Sequence, residues 1–564
     1  ECLRLAAQQL EQVFTSAGEV DFIEIAWRAG QALGSVDDPA ELLLSLDAVI
    51  KHILIDEFQD TSQVQIDLIC KLTSGWLSNE DRTLFLVGDP MQSIYRFRKA
   101  EVGLFLKVSK ESINDLPLTV LRLSENFRSR SGVVQWVNQA FAEVFPAKNN
   151  PALGAIKYTP SVPFNDEGIS PAVLMYPFYY GNNIPAELLN PNTLPQEVTQ
   201  DDESPAIEIT PVMAEAAAQD RVIKLVKSAL KTHAGKKDPV AILVRARTHL
   251  NELMHRLSME GIPVRAVDFQ PLKDRQVVID LVQLVRALSH PADRVAWLSL
   301  LRSPLCGLTL TTLDTLFGEQ HKTPVPQLLA QVLAGVSSAN GQGGAGGQDL
   351  SAAELARLLP VAKALLDRSF EQDAITFSAH VESIWRALGG FVFYNHESEY
   401  ADVQTVLRLL DKIAPYGGLN PTDLDRELER LYAASSHEQN AVTIMTMHKS
   451  KGLEFQEVIL YGLHRVPRNN PDPLLRFEQS EGHLLLGPIK PRASQEKDPI
   501  SVYLAEREKK RTNYELDRLL YVAATRACQR LHLVAVLQVK DGVVAKVPSS
   551  TLFSRLQSLM DTFS

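Results

Sequence analysis

Two short apolar runs, each followed at once by polar or acidic side chains, constrain the fold of this sequence more than any other feature. The first run covers residues 53–55 and ends in Asp56 and Glu57; the second covers 84–87, with Gln92 a few positions beyond. Continuous apolar runs of this length are typical of strands buried in a parallel sheet. Because open α/β sheets bind ligands at the carboxyl ends of their strands, the two runs predict a binding site at one rim.

Asp56 and Glu57 have the chemistry of a magnesium–nucleotide site. An aspartate at a strand end can hold Mg²⁺ directly or through water, since hard oxygen ligands suit this ion. An adjacent glutamate can polarise an attacking water molecule. We therefore interpret Asp56 and Glu57 as a metal-binding and catalytic pair. A solvated strand end is the alternative interpretation of these two residues taken alone.

The composition restricts what such a chain binds and where it works. The net charge of −11 gives no overall attraction to a polyanion, so nucleic acid must use a local basic surface. The four cysteines lie far apart, which argues against a disulfide framework or a cysteine-ligated metal and suits a reducing cytoplasm. No apolar run approaches the ~20 residues of a membrane span, and the N-terminal segment is an amphipathic helix rather than a signal peptide. We expect a cytoplasmic protein with no membrane partner.

Two further segments have the composition of nucleic-acid contacts. Tyr95, Phe97 and Arg98 belong to a strip that interleaves aromatic and basic side chains, which can stack bases and hold the phosphates of a single strand. An ordinary amphipathic loop is the alternative interpretation. Residues 448–451 form a polar, basic turn between two apolar runs, and Gly452 permits close approach of the backbone to a ligand.

Five sequence motifs resemble those of one helicase family. ILIDEFQDTSQVQ and LFLVGDPMQSIYRFRKAE resemble motifs II and III of the UvrD/RecB family in helicase superfamily 1. NFRS at 126–129, MHKSKGLEF at 447–455 and YVAATRACQRL at 521–531 resemble motifs IV, V and VI, in the family's order. The segment LLRSPLCGLTLTTLDTL is closer to the RecB- and AddA-type members. The resemblance covers most of the chain, from residue 21 to residue 537.

The resemblance implies an α/β fold with two RecA-like parallel-sheet cores of the P-loop NTPase type, the first of them incomplete, and a large helical insertion. The implied segments are a helical remnant of the first-core insertion (1–48), the C-terminal part of the first core with motifs II and III (49–115), the first part of the second core with motif IV (116–280), the helical insertion (281–439), and the last part of the second core with motifs V and VI (440–564). Apolar residues also recur at helical spacing from 281 to 439, which predicts helices there independently. The glycine-rich stretch 341–347 is predicted to be a flexible loop.

The same resemblance implies ATP and Mg²⁺ as cofactors and a role for particular side chains. Phe127 would stack on adenine, Glu454 would contact the sugar, and Arg526 would act as an arginine finger on the transferred phosphoryl group. The implied sets are, for catalysis, Asp56, Glu57, Gln92, Arg128 and Arg526; for the nucleotide, Gln92, Phe127, Arg128, Gly452, Glu454 and Arg526; for DNA, Tyr95, Phe97, Arg98, His448, Lys449 and Ser450; and for the metal, Asp56 and Glu57.

The implied function is that of an ATP-dependent 3′→5′ DNA helicase or translocase motor of the RecB/AddA-like type. Such a motor acts on single-stranded and duplex DNA in recombinational double-strand-break repair, and works with a partner in a RecBCD- or AddAB-like complex. No G-x-x-x-x-G-K-[ST] phosphate loop occurs in the sequence. We expect that loop to precede Glu1 in a longer protein, and the chain by itself to lack ATPase activity. Two alternatives stay open: a non-catalytic pseudo-helicase subunit that binds DNA or a partner, and a P-loop ATPase that does not unwind DNA.

Overall fold

The structure is a computed structural model of the 564-residue chain. It describes residues 2–563 except for 36–37, 39, 78–79, 111, 115, 166–169, 186–187, 189–207, 248–249, 267–270, 339–351, 368, 370–375, 433–439, 468–472, 474, 481–482 and 489–497. The glycine-rich stretch 341–347, predicted to be a flexible loop, lies outside the described residues. Among the helices that are described, none has the length and apolar character needed to cross a membrane.

The described elements follow one another in the order that the apolar patterns predict. The helices are α1 (Cys2–Ala17), α2 (Phe22–Ala32), α3 (Glu41–Val49), α4 (Gln63–Leu72), α5 (Val102–Val108), α6 (Ser131–Val144), α7 (Pro211–Thr232), α8 (Asn251–Met259), α9 (Gln276–Ser289), α10 (Arg294–Arg302), α11 (Leu310–Phe317), α12 (Val325–Ser338), α13 (Ala352–Leu366), α14 (Phe377–Ala387), α15 (Gly390–Phe393), α16 (Glu397–Ile413), α17 (Pro421–Arg430) and α18 (Pro499–Ala524). The strands are β1 (His52–Ile55), β2 (Thr83–Leu86), β3 (Glu125–Arg130), β4 (Val162–Asn165), β5 (Val173–Tyr180), β6 (Val240–Val244), β7 (Val264–Ala266), β8 (Val442–Thr446), β9 (Phe455–Tyr461), β10 (Leu475–Ser480), β11 (His483–Pro488), β12 (Ala527–Lys540) and β13 (Val543–Val544).

The chain divides into two compact units. One contains Glu1–Pro263 and Gln439–Ser564, and the other contains Val264–Glu438. The second unit is helical from α9 to α17, around a core that includes the buried Trp297 and Trp385. Trp385 stacks on Tyr394, with ring centroids 5.8 Å apart. The first unit contains the parallel strands.

In the first unit, β1 and β2 pair in parallel, with Ile53 opposite Leu84. Helix α4 starts directly after the acidic turn because Ser62 and Gln65 form a capping box. Side chains of α4 and α5 cover one face of the strand pair and form a small core with Phe58. The opposite face, which includes Leu54, is exposed in the described structure. The parallel pairing is as predicted, but the prediction that these strands are buried on both faces is wrong, since helices cover one face alone.

The larger sheet of this unit is built from parallel strands. β6 lies between β8 and β9, and β12 lies between β9 and β5. Every residue of β6 is buried, as expected for the sequence VAILV in the middle of a parallel sheet. The parallel sheet and the helical unit together confirm the predicted α/β class with a large helical insertion.

A buried carboxylate fixes the register of β9 against β12. Glu457 on β9 accepts hydrogen bonds from the rings of His532 on β12 and of His233 at the end of α7, each at 3.0 Å. Burial opposes ionisation of Glu457, but the two imidazoles outweigh it and lower the pKa of this carboxyl. A buried carboxylate held from both sides tolerates little sliding of one strand on the other. The side chains that precede β9 and β12 are thereby held in a fixed relation.

Candidate active site

The predicted carboxylates lie where β1 ends, as the parallel-strand argument requires. Asp56 and Glu57 follow Ile55 directly and are exposed, and the Glu57 backbone N–H donates to Asp56 Oδ1 at 2.8 Å. Glu57 has φ of 52°, in the left-handed region that non-glycine residues seldom adopt. The chain then enters a 3₁₀ turn, Phe58–Asp60. A strained backbone at a strand end is a common feature of functional sites.

Lys451 connects this strand end to the basic turn after β8. Its Nζ lies 2.9 Å from Glu57 Oε2 and also contacts Asp60, while its side chain is only 6% exposed. Partial burial opposes ionisation of Glu57, but the hydrogen bond and charge of Lys451 prevail, so the pKa of Glu57 is lowered. For Asp60 burial prevails over the same ammonium and raises the pKa. Glu57 is therefore held as the carboxylate of the pair.

A second cluster forms where β2 ends. Asp89 accepts hydrogen bonds from the Gln92 side chain and from the Met91 backbone N–H, both at 2.9 Å. Burial raises the pKa of Asp89 in spite of these bonds. The Gln92 oxygen in turn accepts from Arg526 Nη2 at 3.4 Å. Gln92 thus joins an acid of the first core to the arginine of motif VI.

Three candidate residues converge because of the register between β9 and β12. Phe455 pairs with Ala527, and the Phe455 N–H donates to the Arg526 carbonyl oxygen at 3.0 Å, so Glu454 and Arg526 lie side by side where these strands begin. Arg128 is brought to the same place by its neighbour Ser129, whose hydroxyl donates to the Ala527 carbonyl oxygen at 2.7 Å. Arg128 Nε lies 3.2 Å from Glu454 Oε2.

Arg526 is buried, at 1% exposure, and held by several acceptors. Its Nε donates to the Val522 carbonyl oxygen at 2.9 Å, and its Nη1 donates to that of Leu453 at 3.2 Å. Burial, reinforced by the positive charge of Arg128, lowers its pKa to about 10, so it stays charged at neutral pH. Two guanidinium groups at one place favour an anion between them.

Arg518, earlier in α18, has a different environment. It is buried and donates to the backbone carbonyl oxygens of Ser93 and Gly154, each at 2.6 Å. Burial lowers its pKa to about 10. Because its donors are engaged by backbone, Arg518 supports the packing of α18 against motif III.

Phe127 presents its ring outward and shares that surface with a residue that sequence reasoning missed. Phe127 is 62% exposed, and its ring centroid lies 4.6 Å from that of Phe164 on β4, which pairs with β3. Two exposed aromatic rings in contact offer a wide apolar face suited to a nucleobase. Sequence could not reveal this pair, because Phe164 lies in a segment with no recognisable motif.

The basic turn after β8 is a short 3₁₀ helix, Met447–Ser450. Ser450 is fully buried and its hydroxyl donates to the Met447 carbonyl oxygen at 2.8 Å, so its side chain shapes the turn. Burial, with a contribution from Arg245, lowers the pKa of His448 to about 4, so this ring is neutral at physiological pH. Gly452 has φ of 81°, a conformation that strains any side chain.

The aromatic–basic strip is a surface feature linked to this turn. The Tyr95 hydroxyl donates to the His448 carbonyl oxygen at 3.2 Å, and Lys451 Nζ lies 5.3 Å from the Tyr95 ring centroid. Phe97 is 68% exposed, and its ring meets that of His448 edge to face at 6.0 Å. The Arg98 guanidinium lies 5.0 Å from the Tyr95 ring. Tyr95, Phe97 and Arg98 thus lie together beside the turn, whereas Lys449 is a neighbour whose pKa burial and Arg247 lower.

The described residues fit the modest demands of a magnesium ion. Over the ranges that the structure covers, no three or more His, Cys, Asp or Glu side chains form a cage that could hold a metal. Mg²⁺ in nucleotide sites takes one or two carboxylates and completes its shell with water and phosphate. The exposed carboxylate of Asp56, next to that of Glu57, meets this requirement.

Comparisons with known proteins give consistent matches over nearly the whole chain. Residues 2–113 match the model of the UvrD/REP helicase N-terminal domain, and residues 121–330 and 395–538 match that of the UvrD-like helicase C-terminal domain. Three relatives, each named for its place in an ATP-dependent helicase/nuclease, come from Bacillus cytotoxicus, Lysinibacillus sphaericus and Bacillus cereus. They are 27%, 26% and 29% identical over 96%, 95% and 95% of the chain. The chain spans 44% of the length of each of them. With the sheet described above, these matches confirm an α/β fold of the RecA-like helicase type with a helical insertion.

Proposed function

The chain belongs to the UvrD-like helicase family, and from this premise we propose that it forms part of the motor of an ATP-dependent DNA helicase or translocase. The motor moves 3′→5′ on single-stranded DNA and serves recombinational double-strand-break repair. The observation that carries the proposal is the convergence of Gln92, Arg128 and Arg526 beside the carboxylates of the first core. Such a cleft, with acids on one wall and arginines on the other, suits phosphoryl transfer.

In the proposed site Asp56 holds Mg²⁺ and Glu57 accepts the proton of the attacking water. The ion, when bound, neutralises charge on the phosphate oxygens. Lys451 acts as a positioning residue, because it lies 2.9 Å from Glu57 and lowers its pKa, so that the base is ionised before water arrives. Asp89 holds the Gln92 amide in place by a 2.9 Å hydrogen bond.

The opposite wall of the cleft binds the nucleotide. Arg128 and Arg526 stabilise the charge that develops on the transferred phosphoryl group, since a planar guanidinium fork suits phosphate oxygens. Gln92 senses the same group through Arg526. Phe127, together with Phe164, provides the face for adenine, and Glu454 contacts the sugar. Gly452 lets the backbone approach.

The DNA strand is proposed to lie on Tyr95, Phe97 and Arg98 and on the turn with His448 and Lys449. Exposed aromatic rings stack bases of any sequence, and the cations hold the backbone. Ser450 keeps the turn in shape from within. A partner protein in an AddAB-like complex and the five segments bounded at 48, 115, 280 and 439 belong to the same proposal.

One experiment tests the function on two polypeptides. The 564-residue chain is expected to show no DNA-stimulated ATP hydrolysis, because its sequence contains no phosphate loop to cradle the β- and γ-phosphates. A longer polypeptide that joins this sequence to such a loop is expected to hydrolyse ATP and to displace a strand from a 3′-tailed duplex but not from a 5′-tailed one. Phosphate release and strand displacement on both duplexes are measured.

Each outcome has a definite meaning. Hydrolysis by the 564-residue chain itself would show that it supplies its own phosphate site. Hydrolysis by the longer polypeptide without unwinding of either duplex would favour an ATPase of another kind. DNA binding without hydrolysis by the longer polypeptide would favour a non-catalytic role.

A further inference from the structure

The β10–β11 hairpin presents an exposed apolar face with one aromatic ring. Phe477 pairs with Leu486 in the hairpin register, and both residues, like Leu475 and Leu484, point to the same face because side chains alternate along a strand. All four are exposed, Phe477 at 61%. An exposed phenylalanine on a rigid strand is a different feature from a scattered surface leucine, since its ring has a face that can stack.

The opposite face of the hairpin is anchored to α18, so the Phe477 ring is held in a fixed direction. Glu478, the next residue, points to this inner face and its side chain is only 11% exposed. Its Oε1 lies 2.7 Å from Arg507 and 2.7 Å from Arg511, both on α18. Two arginines on one carboxylate fix the strand more firmly than apolar contact alone.

Lys99 places a cation against that ring. Its Nζ lies 5.4 Å from the Phe477 ring centroid, within the range of a cation–π contact. Lys99 has φ of 66°, a left-handed conformation in which a lysine is strained and a glycine is not. It is exposed and follows directly on Phe97 and Arg98. The backbone strain at a lysine therefore comes with a cation placed beside an exposed aromatic ring.

We propose that Lys99 and Phe477 extend the single-stranded DNA-binding surface from the Tyr95–Arg98 strip onto the β10–β11 hairpin. Phe477 stacks on one base of the strand, and Lys99 holds an adjacent phosphate. The proposal rests on the proposed DNA binding of the strip and adds a second stacking position to it.

The chemistry of the combined surface favours a single strand as its occupant. Two exposed aromatic rings, Phe97 and Phe477, alternate with two exposed cations, Arg98 and Lys99. Aromatic faces with interleaved cations are what sequence-independent binding of a single strand requires. The chain as a whole carries a net charge of −11, so this local basic surface stands apart from its average.

The test measures binding of a fluorescently labelled oligothymidylate to the 564-residue chain by anisotropy, at a series of salt concentrations. Phe477→Leu keeps the hairpin face apolar but removes the ring, and we expect binding about 5- to 150-fold weaker, the range for loss of one stacked base. Phe477→Trp restores a ring and is expected to bind like the parent. Lys99→Gly relieves the backbone strain and removes one cation, so the slope of log K against log salt is expected to become shallower by about 0.7.

Matched variants separate this surface from a general effect of charge. Lys148→Gly removes an exposed lysine in another loop and is expected to leave both affinity and slope unchanged. Phe97→Ala tests the strip itself and is expected to weaken binding. If the parent binds and Phe97→Ala weakens it while Phe477→Leu and Lys99→Gly bind like the parent, the hairpin extension is overturned and the strip survives. If the parent does not bind the oligonucleotide, both proposals are overturned.

Discussion

Replacing Arg526 with lysine is expected to lower the rate of ATP turnover by about 10³-fold in a polypeptide that joins this sequence to a phosphate loop, the lower end of the range for an arginine finger. Lysine keeps a positive charge but loses the planar fork that reaches two acceptors at once. In the structure that fork bonds to Leu453 on one nitrogen and to Gln92 and Thr525 on the other. Steady-state phosphate release at saturating DNA measures the effect, and KM for ATP is expected to change much less than kcat.

Arg518→Lys is the matched control for this experiment. Arg518 is also buried in α18 and its pKa is also lowered to about 10, but it bonds to backbone carbonyl oxygens of Ser93 and Gly154. Its replacement is expected to lower the urea midpoint of unfolding and to leave kcat of the folded enzyme within a few-fold of the parent. A loss of turnover in Arg518→Lys as large as in Arg526→Lys would mean that Arg526 acts through packing.

Replacing Glu57 with glutamine is expected to lower turnover in the same longer polypeptide by about 10²- to 10⁴-fold, the contribution of a general base. The amide keeps the shape of the side chain and cannot accept the proton from water. Because ionised Glu57 is not expected to hold the nucleotide itself, affinity for ATP should change little. Single-turnover hydrolysis and nucleotide binding, measured on the same preparation, separate the two effects.

Asp60→Asn controls for the electrostatics of this change. Asp60 contacts the same Lys451 ammonium as Glu57 but is more buried, and burial raises its pKa. Its replacement is expected to reduce turnover by a much smaller factor than Glu57→Gln. Equal losses in the two variants would assign the effect to the ammonium and not to a base at position 57.

Much of this fold could be predicted because its strands are short apolar runs with polar residues at their ends. Residues 240–244 form β6 as the apolar pattern predicts, and the carboxylates Asp56 and Glu57 follow β1 at the expected rim. The exposed face of β1 and β2 was not predictable, because an apolar run does not tell how many of its faces are covered.

The candidate site was predictable as a set of motifs and not as a set of contacts. Lys451 was visible as one member of a basic turn, but its ion pair with Glu57 joins positions at opposite ends of the sequence. Likewise Ser450 has the composition of a phosphate contact, and only packing shows that its side chain is buried. The roles assigned to the site residues stay predictions until the variants above are measured.

The ammonium of Lys451 ties the DNA-facing turn to a proton balance. Lys451 lowers the pKa of Glu57, whereas burial acting alone would raise it. Any event at the turn that draws Nζ away from Glu57 therefore makes this carboxyl a better proton acceptor and is accompanied by proton uptake at acidic pH. Linkage is reciprocal, so acidification favours the released lysine by the same free energy. Occupancy of the turn and the charge of the hydrolytic carboxylate are in this way two readings of one equilibrium.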